Sequence, residues 1–113
     1  MLYFSLALSL ACLEQLVHLA PNEMPADYAF TSVDISIEPE VADFRGSLED
    51  VDATRRYGHR WATDQRALAI LVPSLIIPVE YNLLLNPLHT AFAEVVWSDS
   101  QPFAFDPRLR PAA

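Results

Sequence analysis

Glu14, Ser74 and Asn82 are the polar residues whose apolar surroundings most call for a chemical role. Glu14 lies within an apolar stripe at helical spacing, formed by Leu6, Leu10, Leu13 and Val17. Its carboxylate therefore points along greasy surface, where it is paired, protonated or functional. A blander reading places it at the stripe's edge, reaching water past its methylenes. His18, one turn on, stands where it could be a hydrogen-bond partner. Ser74 sits in Val72-Pro73-Ser74-Leu75-Ile76-Ile77-Pro78, at the end of an apolar run. There its hydroxyl either faces a cleft or closes a turn onto nearby backbone. Asn82 and Asn86 follow, as ligand-facing amides or as turn and cap residues. Burying any of these groups unpaired costs about 1–3 kcal/mol, so their placement carries information.

Other chemistries have less support. Glu14 and His18 make a weak metal pair; His59 and His89 lie in unrelated contexts, so no metal site is expected. Ser74 lacks the flanking glycines of a hydrolase nucleophile elbow. The only glycines, Gly46 and Gly58, do not open a phosphate-cradling loop, which excludes a Rossmann fold or a P-loop.

The elements that must position these residues read as α+β. Residues 5–19 have helical periodicity, with Leu8, Cys12, Leu16 and Leu19 forming a second apolar face, so a helix buried on most sides is expected. It breaks at Pro21, and a polar connection runs to about Tyr28. Val33, Ile35 and Ile37 alternate with polar residues as a half-buried strand stopped by Pro39. Residues 40–54 read as an acidic, exposed connection, and 55–64 as a short helix carrying Tyr57, Gly58 and Trp61. Residues 67–72 form a buried strand, with further short strands at 75–77 and 82–85. Asn86 is placed to cap a helix starting at Pro87. A last strand covers 94–97 or 103–105.

The 113 residues suit one domain, and 52% hydrophobic with 19% charged residues is a globular composition. All seven basic residues are arginine, against fifteen acidic ones, for a net charge of −8. That field disfavours nucleic acid and suits a basic protein partner. The single cysteine, Cys12, cannot form an internal disulfide, and no oxidising compartment is indicated. The apolar start imitates a secretory signal with a lipoprotein-like Ser9-Leu10-Ala11-Cys12. However, no basic residue precedes it and the apolar pattern continues through Leu13, Leu16, Val17 and Leu19. It is also shorter than the roughly 20 apolar residues of a membrane span. A small exported protein, processed near Cys12, remains the reading this pattern would support.

The order of these motifs resembles the RES domain, the toxin of bacterial RES–Xre toxin–antitoxin pairs. Tyr3, then Leu8-Ser9-Leu10-Ala11-Cys12-Leu13-Glu14 and His18, resembles that family's tyrosine followed by a Leu-Ala-x-x-Glu-x-x-x-His helix. Trp61, Val72-Pro73-Ser74, Glu80, Asn82, Asn86-Pro87-Leu88-His89 and Phe105-Asp106-Pro107-Arg108-Leu109 continue its pattern. The main match covers residues 2–109 of a single domain spanning 1–113, and is weakest at 43–54.

The resemblance implies a fold similar to ADP-ribosyltransferase-like toxins: one compact domain with a mixed or antiparallel sheet and few helices. It implies NAD as a substrate, degraded by phosphorolysis, hydrolysis or ADP-ribosyl transfer. Cleaving nicotinamide from ribose builds positive charge on the sugar, which a fixed Glu14 carboxylate would stabilise. Ser74 would hydrogen-bond the ribose or the nicotinamide amide and share the catalytic role; Tyr3 and Asn82 would join it in binding NAD. An Xre-type antitoxin is the implied partner, with a homo-oligomer as a further association, in the cytoplasm, with no membrane or metal. The family also meets the pyrophosphate with an arginine ahead of the tyrosine, near a Gly-Arg-Trp-like turn. Here Met1 stands two residues before Tyr3 and no arginine lies upstream. The chain thus resembles a RES domain lacking its first strands, by a misassigned start or gene decay, with weak or absent NAD turnover expected. The alternative is a non-catalytic module that binds the antitoxin or itself.

Overall fold

A computed structural model describes residues 1–23 and 26–109. The fold is α+β, built on a four-stranded mixed sheet in the order β1-β6-β5-β4. Strand β1 (Leu2–Ser5) pairs antiparallel with β6 (Tyr81–Leu85), and β6 antiparallel with β5 (Ala69–Pro73). The two-residue edge strand β4 (Glu40–Val41) runs parallel to β5. Two short antiparallel ribbons complete the strands: β2 (Tyr28–Phe30) with β8 (Gln101–Phe103), and β3 (Val33–Asp34) with β7 (Val96–Trp97).

Alternation along the strands sorts the residues by face. Leu2, Phe4, Leu71, Ala69, Leu83 and Leu85 share the face that carries the main core, where Val33, Ile35, Ala91, Phe92 and Val95 pack. Tyr3, Ser5, Ile70, Val72, Asn82 and Leu84 share the other, by register. Helix α1 (Leu8–Leu16) lies over the Ser5 and Asn82 end of that face, because Glu14 bonds Asn82 there. Helix α2 (Val51–Asp64) is capped by Asp50, whose side chain accepts from Ala53 N at 3.0 Å. Its inward residues are Gly58 and Trp61. A Cβ at position 58 would meet only the terminal methyl of the half-exposed Met1, at 2.9 Å, which can swing aside. Asn86 Nδ2 then ties the end of β6 to the last turn of α2 through Ala62 O.

Several expectations from periodicity are corrected. The helix expected at 5–19 is shorter, and a strand precedes it. Leu2-Tyr3-Phe4-Ser5 puts Leu2 and Phe4 into the core, and antiparallel pairing to β6 wins over helix there. Nor is α1 buried on most sides: Leu10 and Leu16 are buried, while Leu8, Leu13 and the flanking Leu6 and Val17 are exposed. The strand at 33–37 stops after Asp34 because its partner β7 is two residues long, although Ile35 still packs on the core. The connection at 40–54 contains β4 and the first turn of α2. No strand forms at 75–77, since Ser74 Oγ accepts from the backbone N–H of Ile76 and Ile77, each at 3.1 Å. These bonds make a turn that joins β5 to β6. No helix starts at Pro87 either. Asn86 Oδ1 instead accepts from Leu88 N in a local turn. A 3-10 helix begins later, at Thr90–Glu94, where His89 Nδ1 accepts from Ala91 N. Both ends of the last segment form strand, at Val96–Trp97 and Gln101–Phe103, and Phe105 leaves the ladder for an edge-to-face cluster with Tyr28 and Phe103.

Candidate active site

Four elements converge on one polar network. In β1, Tyr3 and Ser5 alternate with the core residues and so share a face; Ser5 stands directly opposite Asn82 of β6. Helix α1 delivers Glu14 from above. The turn after β5 delivers Ser74, held in place because Ser74 N donates to Glu80 O at 2.9 Å and Glu80 N to Ile77 O at 2.8 Å.

Glu14 Oε1 is the centre. It accepts from Ser74 Oγ at 2.9 Å and from Asn82 Nδ2 at 2.8 Å. Asn82 Nδ2 also donates to Tyr3 OH at 2.8 Å, and Ser5 Oγ donates to Asn82 Oδ1 at 2.7 Å. Ser74 and Asn82 are buried, at 1% and 0% exposure. Their donors are spent on protein: the Ser74 hydroxyl gives its one proton and accepts two, and both Asn82 N–H groups are used. Glu14 Oε2, by contrast, receives no hydrogen bond from the described residues and is not a buried unsatisfied atom. The carboxylate is thus gripped by one oxygen and presents the other.

Tyr3 is 58% exposed. Its oxygen accepts from Asn82, so its own O–H is left to point elsewhere. Partial burial and the nearby Glu14 charge push the phenol's pKa above its usual value, partly offset by the Asn82 hydrogen bond. Exposed apolar side chains flank these residues along the chain: Leu13 on α1 and Val17 just past its end, Leu75 after Ser74, and Tyr81 before Asn82.

All four residues expected at the site, Tyr3, Glu14, Ser74 and Asn82, are brought together. His18 is not: it lies exposed beyond the end of α1, and the side-chain partners of Glu14 are Ser74 and Asn82. Glu80 contributes its backbone to the turn. Arg108 is paired with Asp106, and Arg66 with Glu40. Arg55, Arg56 and Arg60 line an open concavity of about 470 Å³ on α2 with His59 and Thr63, and none enters the Glu14 network. Ser5 was missed by sequence reasoning. Its signal was a spacing of two from Tyr3, visible only once β1 is read as a strand. Among the described residues no group of three His, Cys, Asp or Glu side chains is placed to hold a metal, and no helix is long and apolar enough to cross a membrane.

Comparisons with known proteins bear on the same residues. The chain is 34% identical over 118 positions to the protein named Toxin Res of Yersinia enterocolitica, covering 96% of this chain and 77% of that one. It is 33% identical to the Prs ADP-ribosylating toxin of a Sphingobium species, covering 95% of this chain and 73% of that one. It is 31% identical to the Toxin Res of Photorhabdus laumondii, covering 95% and 74%. The RES domain family model matches residues 1–106, a span that contains Tyr3, Ser5, Glu14, Ser74 and Asn82, and the chain belongs to the RES domain family.

Proposed function

We propose that this RES protein is a toxin that consumes NAD, breaking the bond between nicotinamide and ribose with Glu14 as the charge-stabilising carboxylate. The one-sided hold on Glu14 carries the reading: two buried donors fix Oε1, while Oε2 takes no hydrogen bond from the described residues. When the C1′–N bond breaks, the bonding pair leaves with nicotinamide and C1′ gains oxocarbenium character. A fixed anionic oxygen lowers the energy of that state without reorganising. The acceptor is phosphate, water or a protein side chain. Its oxygen forms the new C1′–O bond, and its proton, where it carries one, leaves to Glu14 or to water. The name of the Sphingobium relative supports ADP-ribosyl transfer as the reaction class.

Within this reading Tyr3 contacts NAD through its exposed ring and free O–H. Ser74 and Asn82 position Glu14, because the protons they would offer to ribose or the nicotinamide amide are already given to Glu14 and Tyr3. An Xre-type antitoxin neutralises the toxin in the cytoplasm by covering the site. The exposed Leu13, Val17, Leu75 and Tyr81 are the apolar surface that supports such a cover.

A second reading, a non-catalytic module that binds the antitoxin or its own kind, is favoured by one observation. No arginine among the described residues enters the Glu14 network, so the NAD diphosphate meets no guanidinium in it. Slow turnover by this chain is expected for the same reason. Expression with the Glu14→Gln variant as control separates the readings. The amide oxygen of Gln still accepts from Ser74 and Asn82, whereas Glu14→Ala would orphan both donors. Growth arrest with falling NAD that Glu14→Gln abolishes supports the enzyme. Arrest without NAD loss, equal in both proteins, supports the binding module.

A further inference from the structure

We infer that Ser5 is a positioning residue that fixes the Asn82 amide so that Tyr3 donates, and Glu14 Oε2 accepts, toward the bound substrate. The inference rests on the site being the NAD site. It extends that reading to a residue with no other assigned role and to a direction for the Tyr3 hydrogen bond.

The geometry leaves the amide one satisfactory orientation. Asn82 is fully buried, so solvent does not compensate a misplaced end. With Oδ1 toward Ser5, both N–H groups are used, one on Glu14 Oε1 and one on Tyr3 OH, each at 2.8 Å. A flipped amide would set an oxygen against the Glu14 carboxylate and withdraw the donor from Tyr3. Ser5 Oγ, at 2.7 Å from Oδ1 and held opposite Asn82 by strand register, is the described side chain that satisfies that oxygen. Without it Oδ1 is left unpaired in a buried site and the amide tilts toward another partner, so the two groups it steers lose their fixed direction together.

Tyr3 follows from this. Because Asn82 donates to the phenol oxygen, the phenol proton is directed away from the network. Tyr3 therefore offers a donor, and the substrate atom it meets is an acceptor oxygen, of a ribose hydroxyl or of a carboxamide. Glu14 Oε2 offers the complementary charge to the sugar carbon. Ser5 acts on both through Asn82 and touches neither the substrate nor the reacting atoms.

The wild type, Ser5→Ala and Ser5→Thr, each with and without Asn82→Ala, test the inference. With NAD as substrate, Ser5→Ala is expected to lower kcat about tenfold with KM within about twofold, as for loss of orientation in the transition state. Ser5→Thr, which keeps the hydroxyl, restores it. In the Asn82→Ala background Ser5→Ala costs nothing further, because the residue through which it acts is gone. A readout independent of turnover is hydrogen exchange at the Asn82 side-chain amide, identified by the loss of its NMR signals in Asn82→Ala. Slow exchange in the wild type and in Ser5→Thr, with faster exchange in Ser5→Ala, supports the role. Unchanged amide exchange in Ser5→Ala overturns it, as does an equal loss of kcat in both backgrounds. If Glu14→Gln leaves NAD loss unaltered, the functional reading fails instead, and the amide exchange alone decides the part played by Ser5. Should Ser5→Ala fail to fold, Ser5→Cys, a weak donor of similar size, takes its place with the same outcomes.

Discussion

Asn82→Asp exposes the central interaction of the site to a thermodynamic measurement that needs no substrate. The substitution is nearly isosteric. It replaces Nδ2, which lies 2.8 Å from Glu14 Oε1, by an oxygen in a position with no solvent exposure. Two carboxyl groups sharing such a site do not ionise together in the ordinary carboxyl range, and the second proton is held to higher pH. If the retained proton leaves with a pKa about 2–3 units above the ordinary carboxyl value, the penalty at pH 7 is about 3–4 kcal/mol, at 1.36 kcal/mol per unit. The sign is definite. The raised group binds its proton more tightly in the folded chain than in the unfolded one. Its contribution to stability is therefore fully present below the unfolded pKa, near 4, and is lost as pH rises through the folded value. At low pH the new O–H donates where one N–H did, leaving a residual cost of about 1 kcal/mol for the second lost bond. Urea unfolding of both proteins at pH 4.5, 5.5 and 7 reads this out, since any pH dependence they share cancels in the difference. The gap should widen with pH, and adding Glu14→Gln should flatten it. A gap constant to within about 0.5 kcal/mol from pH 4.5 to 7 would refute the close Asn82–Glu14 contact.

Other outcomes follow from the same geometry. Ser74→Ala removes a bond to a carboxylate and the acceptor for Ile76 N and Ile77 N, and is expected to cost about 2–4 kcal/mol in urea unfolding. A loss under about 0.5 kcal/mol would show that the hydroxyl holds neither the turn nor Glu14. In an absorbance titration corrected with Tyr3→Phe, the Tyr3 phenol should ionise above the usual tyrosine range, and Glu14→Gln should move it down by removing the nearby charge. Because that pKa is raised, the stability linked to Tyr3 is complete below pH about 10 and declines as pH rises further. A titration of Tyr3 indifferent to Glu14→Gln would contradict the placement of the two groups.

Much of this was readable from the chain, for reasons that differ by residue. The phase of α1 put Glu14 beside Leu10, which is buried, and the break at Pro73-Ser74 marked the turn that the Ser74 hydroxyl closes. Residues 82–85 declared themselves as a strand by composition. What escaped was non-local or too short to have a period. Leu2-Tyr3-Phe4-Ser5 fits a helix and a strand equally well in isolation, and only its pairing with β6 decides. Without that pairing no spacing rule brings Tyr3 to Asn82; family resemblance supplied Tyr3, and nothing supplied Ser5. The pairing of β4 is parallel, two residues long and made with a strand about 30 positions away, so nothing local announces it. At 75–77 three apolar residues looked like a strand, but the backbone donors of Ile76 and Ile77 had been claimed by the Ser74 side chain next to them.

The network joins residues 60 to 79 positions apart in the chain, from Glu14–Ser74 to Tyr3–Asn82. At synthesis rates of about 5–20 residues per second, the segment bearing Glu14 is made seconds before Ser74 and Asn82. Through that interval the carboxylate has neither of the donors that aim it, and Tyr3 has no amide to orient its phenol. Unfolding the β5–β6 hairpin returns the chain to the same condition, because both donors leave together. The arrangement is thus armed only in the finished fold, and disarmed by any process that opens that one hairpin.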